Sequence, residues 1–246
     1  MKKITILFST FLLISACSNN QQNTAVVEVE SKPLVEYVWH KAGPKFDGEN
    51  LAMLINSWNN MIDNMECSGM SGANILVPEV KNEGYDFIWV MLWSSMDGRN
   101  KCWDDWTENK QSEWDVTING IMEYDLNNVY LFETTVGQQP KKENNSGTFV
   151  NRFNFCNFNE GYSSESLIDF QNDIAATEWS DGYWYVLLNP TFEPNPKPDF
   201  VWLDLWADNA DKEIAFGKYN ESDLPGKYEG AFTCDNFDFS GTAIRR

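Results

Sequence analysis

Histidine is nearly missing from this chain: one in 246 residues, at position 40. A multi-histidine metal site is therefore excluded, and a haem held by a histidine could use only His40. The five cysteines never fall in a C-x-x-C pair, so a cysteine-ligated metal site has no support either. G-x-S-x-G, the phosphate-binding P-loop and G-x-G-x-x-G are all absent, which leaves hydrolase, nucleotide-phosphate and dinucleotide readings without a motif. The acidic run Asp208-Asn209-Ala210-Asp211-Lys212-Glu213 lacks the glycine and ligand spacing of a calcium loop. No metal and no cofactor are assigned from these residues. Basic residues are also scarce, 18 against 37 acidic, for a net charge of −19. Phosphate-rich partners would be repelled, so nucleic acid is excluded as a partner class. What the chain has in abundance is aromatic surface: 11 Trp, 16 Phe and 9 Tyr, enough for a sizeable core.

The N-terminus carries an address. Lys2 and Lys3 precede an apolar run from Ile4 to Ile14, which ends at Ser15-Ala16-Cys17. A run this short, with small residues before the cut, reads as a secretory signal over residues 1–16 and not as a membrane span. Leu13-Ile14-Ser15-Ala16-Cys17 resembles the bacterial lipoprotein lipobox. The resemblance implies that Cys17 is acylated and that the bilayer is a partner. With Ser18 next, it implies the outer membrane, with the folded part facing the periplasm. Residues 17–32 are polar and unpatterned, a tether with a reach on the order of 20 Å.

One stretch is used twice: Asp86-Phe87-Ile88-Trp89-Val90-Met91-Leu92-Trp93 returns as Asp199-Phe200-Val201-Trp202-Leu203-Asp204-Leu205-Trp206. Period-two alternation of aliphatic with mostly aromatic residues is the mark of a strand with two different faces. The flanks match in the same order. Ile55, Trp58 and Ile62 align with Leu167, Phe170 and Ile174; Pro78 aligns with Pro190; Trp103 and Trp106 align with Phe216 and Tyr219. The spacing therefore predicts a duplicated unit. Its first copy spans residues 33–136, a polar linker spans 137–147, and the second copy spans 148–246. Each copy reads β-α-β-β-α-β, with Trp114 to Tyr124 taken as an extra strand-like run.

That order resembles the ferredoxin-like motif, and two copies in one chain resemble the dimeric α+β barrels. This group includes antibiotic-biosynthesis-type monooxygenases, dye-decolourising haem enzymes and muconolactone-isomerase-like proteins. The implied fold class is α+β: two tandem βαββαβ units forming an intrachain dimeric barrel, their sheets face to face. In that topology the first and last strands of a unit are neighbours, and its two helices run antiparallel. The resemblance thus implies the disulfides Cys67–Cys102 and Cys156–Cys234, one in each unit.

On this expectation the aliphatic set (Ile88, Val90, Leu92; Val201, Leu203, Leu205) packs on each unit's own helices. The aromatic set, with Met91 and Asp204, faces the opposing sheet. Trp89, Trp93, Trp202 and Trp206 would then line a site for a small apolar or aromatic ligand. Asp204, standing where the first copy has Met91, is the candidate catalytic acid or base, because burial raises a carboxyl pKa. His40 is the second candidate. The expected function is an outer-membrane lipoprotein binding a small molecule between its sheets. The alternatives are a cofactor-independent, monooxygenase-like enzyme and a structural or partner-binding envelope protein.

Overall fold

The computed structural model describes residues 32–246; the signal, Cys17 and nearly all of the tether lie outside the described residues. The first half runs β1 (Leu34–Ala42), α1 (Gly48–Asp63), β2 (Met70–Pro78), β3 (Phe87–Trp93), α2 (Met96–Asn109), α3 (Gln111–Thr117) and β4 (Met122–Gln138). The second runs β5 (Thr148–Phe158), α4 (Ser164–Ala176), β6 (Trp184–Pro190), β7 (Phe200–Trp206), α5 (Asn209–Glu221), α6 (Leu224–Lys227) and β8 (Phe232–Arg245). The longer helices start where a side chain caps their free N–H groups: Asp47 and Ser95 in the first half, Ser163 and Asp208 in the second.

The eight strands form one closed sheet in the order β1-β3-β2-β8-β5-β7-β6-β4, every neighbouring pair antiparallel. Within each half the order is last-first-third-second, the arrangement expected of a ferredoxin-like unit. The two sheets do not merely face each other. They join edge to edge through β2–β8 and β4–β6, which leaves no open edge. Asn59 and Asp63 of α1 also reach across to Ile244 and Arg245 of β8. Both expected disulfides are present, with Cα–Cα distances of 4.5 Å for Cys67–Cys102 and 4.1 Å for Cys156–Cys234.

The faces of the repeated strand are the reverse of the expectation. Val35, Tyr37, Ile88, Val90, Val201 and Leu203 fill the barrel interior. Phe87, Trp89, Met91 and Trp93 pack outward under α1 and α2, against Leu54, Trp58, Ile62 and Trp106. Trp202 and Trp206 likewise lie beneath the helices of the second half. Both faces are buried: the helices cover the tryptophans outside, while the aliphatic set meets rings of other strands, Trp39 and Tyr130 among them, inside. Alternation showed two buried faces but not which neighbour each one meets.

The run after α2 also departs from expectation. Trp114, Val116 and Ile118 alternate as a strand would, yet residues 111–117 form α3. Trp114 and Ile118, four apart, are buried, while Val116 is 77% exposed, as a helix requires. Trp114 closes the first core edge-on to Trp89 and Trp106.

Candidate functional site

Two cavities bear on function. One lies between the sheet of the second half and its helices, has a volume of about 240 Å³, and is walled by Phe170, Trp179, Trp202, Trp206 and Phe216. Asp204 and Tyr183 supply its polar wall, beside Asn154. Asp204 belongs to β7, where alternation turns it to the helix side with Trp202 and Trp206. Its Oδ1 accepts from Tyr183 Oη at 2.8 Å and from Trp202 Nε1 at 2.7 Å; its Oδ2 accepts from Asn154 Nδ2 at 2.9 Å.

These donors favour the ionised carboxyl, as does Arg152 beside it, but burial outweighs them and the Asp204 pKa is raised. Burial, reinforced by Asp204, also pushes the Tyr183 phenol well up, so Tyr183 keeps its proton at neutral pH. Arg152 is committed elsewhere. It makes a two-pronged pair with Asp238 at 2.9 and 2.7 Å, and Lys212 joins the same carboxylate at 2.8 Å. Burial alone would raise the Asp238 pKa; the two cations hold it below the ordinary value. Trp206 is 2% exposed and lines the cavity, and its Nε1 has no hydrogen-bond partner among the described residues. A buried donor without an acceptor is a place for a ligand oxygen or nitrogen.

The first half solves the same problem differently. Strand pairing sets Glu36 opposite Met91 in β1–β3, as it sets Arg152 opposite Asp204 in β5–β7. Glu36, 1% exposed, accepts from Trp93 Nε1 at 3.0 Å and Trp103 Nε1 at 2.9 Å and is ion-paired with Arg99. Trp89, the counterpart of Trp202, has Met91 where Trp202 has Asp204, and its Nε1 is left without a partner.

The candidate residues are thus partly brought together. Trp202, Trp206 and Asp204 share one cavity. Trp89 and Trp93 belong to the core of the other half. His40 does not meet Asp204. It is buried in the first half, stacked on Phe87, with Nδ1 2.8 Å from the Val38 carbonyl. Burial lowers its pKa to about 4 despite that bond, which keeps the ring neutral. No imidazole lines the second-half cavity, and its two cysteines are joined in a disulfide. The donor set therefore does not fit a histidine-held haem. Tyr183, Asn154 and Glu36 were missed at the level of sequence. Glu36 had a signal, since it shares a strand face with Leu34 and Val38.

The other cavity, about 450 Å³, opens at one end of the barrel interior, between the two half-sheets where a ligand was expected. Its walls are other aromatics: Tyr37, Trp39, Tyr85, Tyr130, Phe155 and Phe237 among them. Neither Asp204 nor any of the four expected tryptophans reaches it.

No protein-family model matches the sequence, and no curated protein is similar to it. Solved structures are similar in shape. A proposed monooxygenase from Fusobacterium nucleatum superposes with a TM-score of 0.59 at 12% identity, covering 87% of this chain and 93% of that one. A chlorite dismutase variant from Candidatus Nitrospira defluvii gives 0.54 at 8% identity, covering 87% and 93%. A proposed chlorite dismutase gives 0.52 at 9%, covering 87% and 95%. These neighbours are dimeric α+β-barrel proteins, monooxygenase-like or chlorite dismutase-like, and at such identities the likeness shows the fold.

Proposed function

We propose that this chain is a lipid-anchored envelope protein, built from two duplicated ferredoxin-like units, that binds a small flat molecule in the second-half cavity. The anchor is Cys17, and the address read from residues 13–18 is the outer membrane facing the periplasm. One observation carries the binding reading. The cavity presents an unpartnered donor, Trp206 Nε1, and a buried carboxylate–phenol pair, Asp204 and Tyr183, on otherwise aromatic walls. A few polar groups converging on an apolar cavity are the usual make-up of a small-molecule site. The volume suits a molecule of one or two rings that carries both an acceptor and a donor.

A second reading, cofactor-independent proton-transfer catalysis of the monooxygenase-like kind, is favoured by the raised pKa of Asp204 on the cavity wall. His40 has no part in it.

Titration of the full chain with 2-naphthol, followed calorimetrically, tests binding, with naphthalene as the control lacking a polar group. Binding of 2-naphthol at least about tenfold tighter than naphthalene, and lost in Trp206→Phe, is expected for a site that pairs a buried donor. Equal affinities, or no binding by either, would remove the reading. Palmitate incorporation into the wild type and not into Cys17→Ser checks the anchor.

A further inference from the structure

The cavity at the barrel end has no part in the function just described. β1, β2, β5 and β6 all finish at this end, and the turn between β2 and β3 and the proline-rich turn between β6 and β7 close around it. Towards the opposite end Phe149 lies over Gly241, where a Cβ would stand 2.3 Å from the ring. At the cavity end the rings stop short of filling the space. Phe237 points inward by its register with Phe153, yet it is 45% exposed.

Three features describe what would fill it. The first is the set of rings. Trp39 sits between Tyr85 and Tyr130, with centroids 4.7 and 5.0 Å away and planes tilted by 48° and 49°, so the three form an arc. Tyr37 and Phe237 continue the wall. The second is a pair of hydroxyls. Tyr37 and Tyr85 are each 5% exposed, and neither Oη makes a hydrogen bond among the described residues. Neither oxygen is fully sealed from solvent, so both remain available to a ligand in the cavity. The third is charge. The charged groups lining the cavity are Asp235 and Lys197, and the Lys197 side chain is 70% exposed and turned to Glu193 at 3.8 Å. The chain as a whole carries −19, which draws cations and repels anions.

Electron-rich ring faces and phenol oxygens, on a chain of net negative charge, are the chemistry that recognises an organic cation. We propose that the barrel end is a binding site for a small organic cation, a quaternary or protonated amine with an apolar body, held by Trp39, Tyr85 and Tyr130. The volume lies within the range of ordinary ligand pockets, and the site is separate from the Asp204 cavity in both position and lining.

Calorimetric titration of the full chain with benzyltrimethylammonium tests this, with neopentylbenzene as the neutral isostere and benzoate as the anion. Each ring contributes roughly 2- to 30-fold to cation affinity, so the cation should bind about tenfold or more tighter than the isostere, and benzoate not at all. Trp39→Leu should lower cation affinity by roughly tenfold while leaving the isostere within about twofold. Phe237→Leu, at an open position the fold tolerates, should weaken the cation in the same sense. Asp204→Asn should leave it unchanged, so this site and the second-half cavity stand or fall independently. Equal affinity for the isostere would overturn the proposal. So would an absence of binding at millimolar concentration, or binding that survives Trp39→Leu but is lost in Asp204→Asn.

Discussion

Replacing Asp204 with asparagine separates a carboxyl poised to exchange a proton from one that is simply a structural anion. In the variant, Oδ1 can still accept from Tyr183 and Trp202, but an NH₂ group takes the place of Oδ2 and confronts Asn154 Nδ2. Asn154 cannot escape by turning its amide, because the same Nδ2 also donates to the Trp202 carbonyl at 3.0 Å. Leaving one such donor unsatisfied costs about 1–3 kcal/mol. Against this, the wild type bears the cost of holding a charge in a desolvated place, and the variant does not.

The pH dependence follows from the direction of the shift. The folded pKa of Asp204 lies above the ordinary 3.8, so between the two values the native state binds more protons than the unfolded one. This group's contribution to stability is full below 3.8 and is lost as pH rises through the folded pKa, by at most about 1.4 kcal/mol per pH unit. The variant lacks that loss. Asp204→Asn should therefore be destabilised by about 1–3 kcal/mol near pH 3.5 and by progressively less towards pH 7. Urea unfolding of both proteins across pH 3.5–7.5, with disulfides oxidised and circular dichroism as the signal, measures the difference directly. A penalty that grows with pH would refute the reasoning. It would mean that Arg152 and the three donors win over burial, and the acid–base reading of the cavity would go with it.

Two further outcomes follow from the rest of the molecule. Glu36→Gln leaves Arg99 without its counter-ion; with the amide oxygen in the Oε2 place both indoles stay paired, but the NH₂ then confronts the Arg99 guanidinium, so it should cost about 3–5 kcal/mol, read from the urea midpoint at unchanged slope. A loss below about 1 kcal/mol would show that the network is not holding β1 to α2. Removing the disulfides as serine pairs should rank by the loops they close, 35 and 78 residues apart. Chain entropy gives about 4 kcal/mol for Cys67–Cys102 and about 4.5 kcal/mol for Cys156–Cys234, and a neutral Cys156→Ser/Cys234→Ser variant would contradict it.

Much of the architecture was legible because it rests on period and order. The repeated D-F-x-W-x-x-L-W stretch marks β3 and β7, apolar spacing marks α1 and α4, and the order of elements implied the sheet order and so both disulfides. What alternation could not supply is which side of a doubly buried strand meets which neighbour. The true interior aromatics were nonetheless visible as period-two pairs, Tyr130 and Phe132, Phe153 and Phe155, Phe237 and Phe239. They stand out less than the tryptophans because each pair is short and, at Asn154 and Asp238, interrupted by a polar residue. Val116 misled for the opposite reason: it completes an apolar alternation while pointing into solvent.

The contrast between Met91 and Asp204 takes on its meaning only once the strands are paired. Each half uses a carboxylate beneath its helices to satisfy indole N–H groups, two at Glu36 and one at Asp204. In the first half the carboxylate is on β1, at Glu36, and it takes Trp93 while leaving Trp89 orphaned. In the second half it has moved across the ladder to β7, at Asp204, with Arg152 in the old place; it takes Trp202 and leaves Trp206 orphaned. Strands that share a pattern thus carry the same polar need with its supplier displaced by one strand. The displacement decides where chemistry can occur. Glu36 is neutralised by Arg99 and closed off by two indoles, whereas Asp204 stands on a cavity wall beside a phenol and an unused donor. Exchanging the suppliers tests this. A Met91→Asp/Glu36→Arg/Arg99→Met chain should satisfy Trp89 and orphan Trp93 and Trp103, reproducing in the first half the polarity that the second half uses; slowed indole N–H exchange at Trp89 with faster exchange at Trp93 checks it, and unchanged exchange at both would refute it.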